Sequence, residues 1–367
     1  MRPVLKVPSP LRAAFHRSSF RRPPSPRSAI LLPLLLLAGC AGLPGSWPSG
    51  QATPSRPAAG ALPTPAAKPS DAPQVQAPAQ PAQAPAQPAQ AVPVEPVGPP
   101  REEFFFAVTS GNLLVRFNAG QPARLLSSVP LSGLRTGEEI LGIDFRRGPG
   151  SLYALGRTGS ESRLLTIDTG SGKVAQVGSS QLLTPLIGSE FGFDFNPAAD
   201  RFRVVSDTGQ NLRVHPDTGA IVDTDPSSPG LEFDDPLVYE KKDRHAARRP
   251  WIAAAAHAPD RKNGKLATHY AIDAMAGTLV VQGSPAGAKP AVSPDAGRLR
   301  TVGPLGIGSA ERIGFDVADQ TGAAFIAVTR PGSARSTFHL LDLSTGRTTF
   351  LGTIGGGEPV RGISAAP

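Results

Sequence analysis

Seven carboxylates in this 367-residue chain stand at repeated offsets from a set of glycines, and those offsets frame the chemistry available to it. Asp144, Asp194 and Asp316 each lie two residues after Gly142, Gly192 and Gly314. Glu139, Glu190, Glu311 and Glu358 lie two to four residues before Gly142, Gly192, Gly314 and Gly362. If the fold gathers these positions around one axis, the glutamates ring an opening that would receive an amine, a basic peptide or a hard cation such as Ca²⁺, which takes several oxygen ligands. The bland alternative makes them solvated turn residues too far apart to cooperate. The aspartates also admit two readings: a ring of metal ligands, or acceptors for backbone N–H groups of adjacent strands or blades. A third group, Arg203, Gln210, Asn211 and Arg213 with Arg201 nearby, has the donors to hold an anion or a sugar. Equally, Arg201 and Arg203 share one side of a strand and suit an exposed sheet face.

No residue is assigned a catalytic role. His215, His245, His257, His269 and His339 lack metal-ligand spacing, and no Gly-x-Ser-x-Gly elbow occurs. Thr169-Gly170-Ser171-Gly172-Lys173 lacks the upstream glycine of a phosphate loop and reads as a β-turn. The single cysteine, Cys40, lies far from all of these groups.

The elements that must position the carboxylates are short strands. Beyond Phe104 the chain runs in apolar or alternating stretches of four to seven residues punctuated by Gly, Asp, Asn and Pro, an all-β pattern. One phrase recurs as Leu141-Gly142-Ile143-Asp144-Phe145, Phe191-Gly192-Phe193-Asp194-Phe195 and Ile313-Gly314-Phe315-Asp316-Val317. A second strand follows each, then a third, then a tight turn such as Ile167-Asp168-Thr169-Gly170 or Leu341-Asp342 to Gly346. In those turns the aspartate caps local donors and the glycine takes a positive φ. A fourth strand completes a unit of about fifty residues, the size of a propeller blade.

Three clear units span residues 140–177, 191–222 and 313–351, and a degenerate one spans 251–282, with Arg248 and Arg249 where the others carry a glutamate. The chain ends supply a fifth. Val360-Arg361-Gly362-Ile363-Ser364 resembles an innermost strand with no continuation, and residues 104–129 offer three strands with no innermost partner. Joining them closes a β-propeller of five blades of four antiparallel strands and leaves no open edge between first and last. A six-bladed ring or an irregular β-sandwich are the alternatives, because residues 223–250 are poorly periodic.

The block Phe191-Gly192-Phe193-Asp194-Phe195-Asn196-Pro197 and Asp200-Arg201-Phe202-Arg203-Val204-Val205-Ser206-Asp207-Thr208-Gly209-Gln210-Asn211-Leu212-Arg213 resembles a bacterial family known as domain of unknown function 4394. The likeness runs from about Phe104 to the C-terminus. It implies an extracytoplasmic repeat domain and lends no activity or catalytic residue.

The remaining third of the chain sets the address. Residues 1–39 carry seven of the 37 basic residues and no acid; without them 30 basic residues face 29 acidic ones, so the +8 charge gives no support for nucleic-acid binding. Residues 29–38 form a ten-residue apolar run containing Pro33, too short to span a bilayer, followed by Leu37-Ala38-Gly39-Cys40. This pattern is similar to that of a bacterial lipoprotein signal peptide, with Cys40 as the acylation point and Ala41 favouring the outer membrane. Arg21-Arg22 reads as part of a generic basic leader rather than a twin-arginine signal. Residues 40–103 are a Pro/Ala/Gln-rich disordered linker favouring polyproline II, with a reach of at most about 180 Å at ~3.1 Å per residue. Residues 104–367 are the propeller-like domain. The expected role is a non-catalytic extracytoplasmic binding or scaffold lipoprotein, at the periplasmic or outer surface, that meets an envelope protein or polysaccharide. The alternative is a metal-dependent, Ca²⁺-type propeller hydrolase of lactonase-like kind.

Overall fold

The structure is a computed structural model that describes residues 98–179 and 184–367. The expected signal peptide, Cys40 and linker fall outside these residues, apart from 98–103. That last stretch packs on the domain: the Arg101 amide donates to Asn118 Oδ1 at 2.8 Å, and Asn118 Nδ2 returns a bond to the Arg101 carbonyl at 2.7 Å. No helix among the described residues is long and apolar enough to cross a membrane.

Among the described residues, twenty strands make five sheets, and one 3₁₀ turn (Pro294–Ala296) lies between the fourteenth and fifteenth strands in sequence. The first blade contains β1 (Phe104–Thr109), β2 (Leu113–Asn118) and β3 (Gln121–Pro130). The second is β4 (Glu139–Arg146), β5 (Ser151–Thr158), β6 (Glu161–Ile167) and β7 (Val174–Gln176), and the third is β8 (Phe191–Asn196), β9 (Arg201–Ser206) and β10 (Asn211–Val214). After the short β11 (Val238–Tyr239), the fourth holds β12 (Ile252–Pro259), β13 (Ala267–Asp273), β14 (Thr278–Gln282) and β15 (Arg298–Pro304). The fifth holds β16 (Arg312–Val317), β17 (Ala324–Thr329), β18 (Ser336–Leu341) and β19 (Thr348–Thr353), and the chain ends with β20 (Val360–Ala365).

The ring closes as the sequence implies. β20 pairs antiparallel with β1 in the register Phe105↔Ala365, Phe106↔Ser364, Ala107↔Ile363 and Val108↔Gly362, with a bulge before Thr109↔Val360. The innermost strands β4, β8, β12, β16 and β20 therefore surround the axis. They are buried on both faces, which is why they read as near-continuous apolar runs, whereas the outer β3 and β19 keep only one fully buried residue each.

Three details differ from expectation. The third blade has three full strands; its fourth is reduced to a bridge between Val214 and Ile221. The fourth blade extends past Gln282 to β15, which also pairs in parallel with β11, so residues 223–250 link the third blade to the outer edge of the fourth. In the second blade's turn the left-handed residue is Gly172 (φ +71°) rather than Gly170, while Asp168 Oδ1 caps the Ser171 amide at 2.7 Å.

Hydrophobic clusters lie between neighbouring blades. Phe105, Phe117, Phe325 and Phe338 interlock the first and fifth, with Phe325 and Phe338 stacked at 5.4 Å. Tyr153, Phe193 and Phe202 join the second and third. Rings of this size dominate core energetics because each buries a large apolar surface. The seam between the third and fourth blades is different: half of its apolar cluster is Ala or Val (Ala255, Ala271, Val205 and Val280), its one aromatic ring is Tyr239, and beside it runs a buried polar set.

Candidate functional site

At the N-terminal ends of the inner strands the four glutamates do not form a purely acidic ring. Glu139 opens β4 and attracts three guanidinium groups: Arg312 Nη1 at 3.3 Å, Arg361 Nε at 3.6 Å and Arg157 Nη2 at 3.6 Å. Arg312 and Arg361 sit on β16 and β20, immediately beside Glu311 and Gly362 in sequence. That adjacency is the sequence signal for them, beside the Arg248 and Arg249 that the sequence places at the same rim. Glu190 lies close enough to feel Arg312, Glu139, Glu311 and Asp207, yet no hydrogen bond reaches its carboxylate among the described residues. Burial pushes its pKa up to about 7, with the neighbouring carboxylates adding to the rise and Arg312 opposing it. Glu311 accepts the Gly332 amide at 3.3 Å, and Glu358 accepts the Gly111 amide at 3.0 Å, so both are also loop caps. Arg249 donates to the Thr208 carbonyl at 2.7 Å, and Arg248 is exposed. The mouth is therefore of mixed charge, with Glu139 at the centre of an arginine cluster and Glu190 beside it.

Below this mouth the tunnel is pinched shut by glycines. A Cβ on Gly142 would stand 2.8 Å from Phe193 Cβ, one on Gly192 2.6 Å from Ala255 Cβ, one on Gly314 3.2 Å from Ile363 Cγ1, and one on Gly362 3.1 Å from the Ile143 nitrogen. Each glycine thus meets the inner strand of the following blade, and close backbone approach is what the residue type permits. The space left at the waist is about 20 Å³, near the minimum for one water.

At the opposite end, two residues beyond the glycine register, a ring of side chains comprises Asp144, Asp194, His257, Asp316 and Ser364. Most of them accept from the next blade's backbone. Asp144 Oδ2 takes the Phe195 amide at 2.7 Å, Asp194 Oδ2 the His257 amide at 2.8 Å, Asp316 Oδ2 the Ala365 amide at 2.6 Å, and Ser364 Oγ the Phe145 amide at 3.3 Å. Asp144 Oδ1 also receives Ser364 Oγ at 2.7 Å. The acceptor reading of the aspartates is thereby met, and the same geometry brings one oxygen from each of the three within 4.8 Å of the others. All three are buried. Burial raises Asp144 to about 7 against the pull of its three hydrogen bonds; burial followed by mutual repulsion raises Asp194 and Asp316 well above the ordinary range. His257 Nδ1 lies 2.6 Å from Asp194 Oδ2, and burial pushes the imidazole's pKa well below its ordinary value. These residues have the donor set for an oxygen-seeking cation.

The arginine-rich block points inward. Arg203, 3 % exposed, donates to Asn211 Oδ1 at 2.7 Å and Asp234 Oδ2 at 2.9 Å and pairs with Asp295, so the exposed-face reading does not apply to it. Arg213 pairs with Asp234 at 2.7 Å, Asn211 Nδ2 donates to the Asp235 carbonyl at 3.0 Å, and Gln210 clamps residues 185–187 through the Pro185 carbonyl and the Ile187 amide. Together they pin residues 234–235 and 294–295 onto the third blade. Arg201, Arg203 and Arg213 still line a groove of about 120 Å³ with Asp295. The histidines are separated: His339 bonds Thr337, His245 meets Thr301, and only His257 and His269 touch, with ring centroids 4.3 Å apart.

The family described as Domain of unknown function (DUF4394) matches residues 113–364, well over half of the chain, and the chain belongs to that family. No curated protein matches it. Among solved structures it is similar to Kuenenia stuttgartiensis hydrazine synthase, at 10 % identity and TM-score 0.34, with 60 % of this chain and 49 % of that one covered. It therefore spans about half the length of that protein. It is also similar to a chain of a nidogen/laminin complex (12 % identity, TM-score 0.41, 72 % and 98 % covered). A third likeness is to a putative 6-phosphogluconolactonase from Bacteroides uniformis (13 % identity, TM-score 0.35, 70 % and 83 % covered). At these values the likenesses carry no argument about ligand or activity.

Proposed function

We propose that this DUF4394 member is a stalked binding module of the bacterial envelope: a lipoprotein held to the outer membrane by an acylated Cys40, whose propeller recognises an envelope protein or polysaccharide without transforming it. The observation that supports this most is the closed waist. A ligand cannot pass into the tunnel beyond Gly142, Gly192, Gly314 and Gly362, so recognition would take place on a face, where Glu139, Arg157, Arg312 and Arg361 present both signs of charge on rigid strand ends. Rigid, mixed-charge rims favour orientation and partner selection over raw affinity.

The full chain immobilised in detergent is expected to retain a component from peptidoglycan, outer-membrane polysaccharide or envelope-protein fractions, and Arg312→Ala is expected to weaken retention about tenfold, as loss of an interfacial charge contact does. No retention above a heat-denatured control on any fraction sinks the binding role. A Cys40→Ala chain that stays in the membrane fraction as fully as the wild type sinks the anchor.

A further inference from the structure

We propose that the C-terminal mouth of the tunnel holds one oxygen-seeking divalent cation, Ca²⁺ by its tolerance of irregular oxygen ligand sets, bound between Asp144, Asp194 and Asp316. This inference is independent of the binding role and concerns the far end of the tunnel.

The three carboxylates come from three separate strands, β4, β8 and β16, and converge on one cavity of about 30 Å³, enough for a single ion or water. Their surroundings make opposing demands. Backbone N–H groups point at both oxygens of Asp144 and of Asp316, an arrangement that favours the ionised form. Burial and the proximity of three like charges oppose it. Among the described residues no lysine or arginine bonds to any of the three; Arg147, which lines the same cavity, is paired with Asp319 instead. A cation at the centre satisfies both demands at once.

Asp194 supplies the observation that points to a ligand rather than to a self-contained cluster. It is 3 % exposed, and the His257 amide, which donates at 2.8 Å, and His257 Nδ1, at 2.6 Å, both meet Oδ2. No donor among the described residues reaches Asp194 Oδ1, and Asp194 lines the cavity. A buried histidine that orients a carboxylate by donating to one oxygen, with the other left bare, is the kind of support that fixes metal ligands in place. His257 is also the side chain that replaces aspartate at this position in the fourth blade.

Ligand geometry distinguishes the candidate ions, since Mg²⁺ demands a near-ideal octahedron and keeps most of its own water. Ca²⁺ accepts irregular ligand sets completed by water.

The test is calorimetric titration of the chelator-stripped full chain with CaCl₂ and MgCl₂, paired with thermal melts. The expected result is one Ca²⁺ per chain, a melting temperature raised by several degrees in Ca²⁺ and little moved by Mg²⁺, and at least tenfold weaker Ca²⁺ binding in Asp194→Asn and Asp316→Asn. Absence of saturable uptake, or equal binding by both variants, overturns the proposal. Because an asparagine variant could fail to fold, crystals of the wild-type chain loaded with Mn²⁺ give a second readout. An anomalous peak between the three aspartates supports the site, and a peak only elsewhere, or none, overturns it. Failure here leaves retention on envelope fractions untouched, and the reverse is equally true.

Discussion

Glu190 shows how a single side chain carries the cost of the mouth. Its carboxyl is pushed from 4.5 to about 7, so between those values the unfolded chain has released a proton that the folded chain still holds. Stability from this group therefore falls as pH rises from about 4.5 to about 7 and is flat beyond. Glu190→Gln is expected to flatten that slope and to raise stability above pH 7 by roughly 1–3 kcal/mol, the scale of such a shift. Denaturant melts at pH 5 and pH 8 check it; a larger gain at pH 5 contradicts it. The neighbouring pair Glu138 and Glu139 illustrates what residue type leaves open. Glu138, unremarked in the sequence, is the buried one: burial opposes its ionisation, but Arg163, at 2.5 Å, and the Arg135 amide override this and hold its carboxyl below the ordinary range. Glu138→Gln is expected to destabilise by about 3 kcal/mol by leaving Arg163 without its counter-charge. An unchanged melting midpoint would contradict that assignment.

The inner strands β4, β8 and β16 were legible because burial on both faces and the glycine approach impose the same five-residue phrase on them, which β20 keeps in part and β12 does not. Adding a methyl at Gly192 would place it 2.6 Å from Ala255 Cβ and 2.7 Å from the Ala255 nitrogen. Gly192→Ala is therefore expected to lower stability by about 1–3 kcal/mol as overpacking does, read as a shift in denaturant midpoint; a neutral result would mean the waist is looser than its contacts. β15 was not legible: Arg298-Leu299-Arg300-Thr301-Val302-Gly303-Pro304 has two arginines and a proline and follows a turn-rich segment, so its strand state comes from pairing with β14 and β11 rather than from local preference. The polar block of the third blade was visible as a block, but its inward direction depended on Asp234 and Asp295, which lie 31 and 92 residues further on from Arg203.

For the whole molecule, closure rests on β20. Deleting residues 360–367 would expose β1 as an open edge and remove Ser364 and the Ala365 amide from the aspartate ring. The truncated chain is expected to lose a single cooperative melt or to aggregate, measured by calorimetry and light scattering; an unchanged melt would show that the ring does not depend on this strand. The mixed-charge mouth and the aspartate ring lie at opposite ends of the same strands, so one repeated phrase builds both.

Composition and repetition alone determined the all-β class and the identity of the aspartates and glutamates as a set, and favoured five blades with a composite first one over a six-bladed ring or a sandwich, because each repeat must bury the same faces and turn with the same residues. Only the tertiary structure decided which charges meet. Arg157, Arg312 and Arg361 come to Glu139 from three other strands, and one oxygen from each aspartate converges across blades, because side-chain distances around a closed ring depend on how the sheets rotate past one another and not on spacing along the chain.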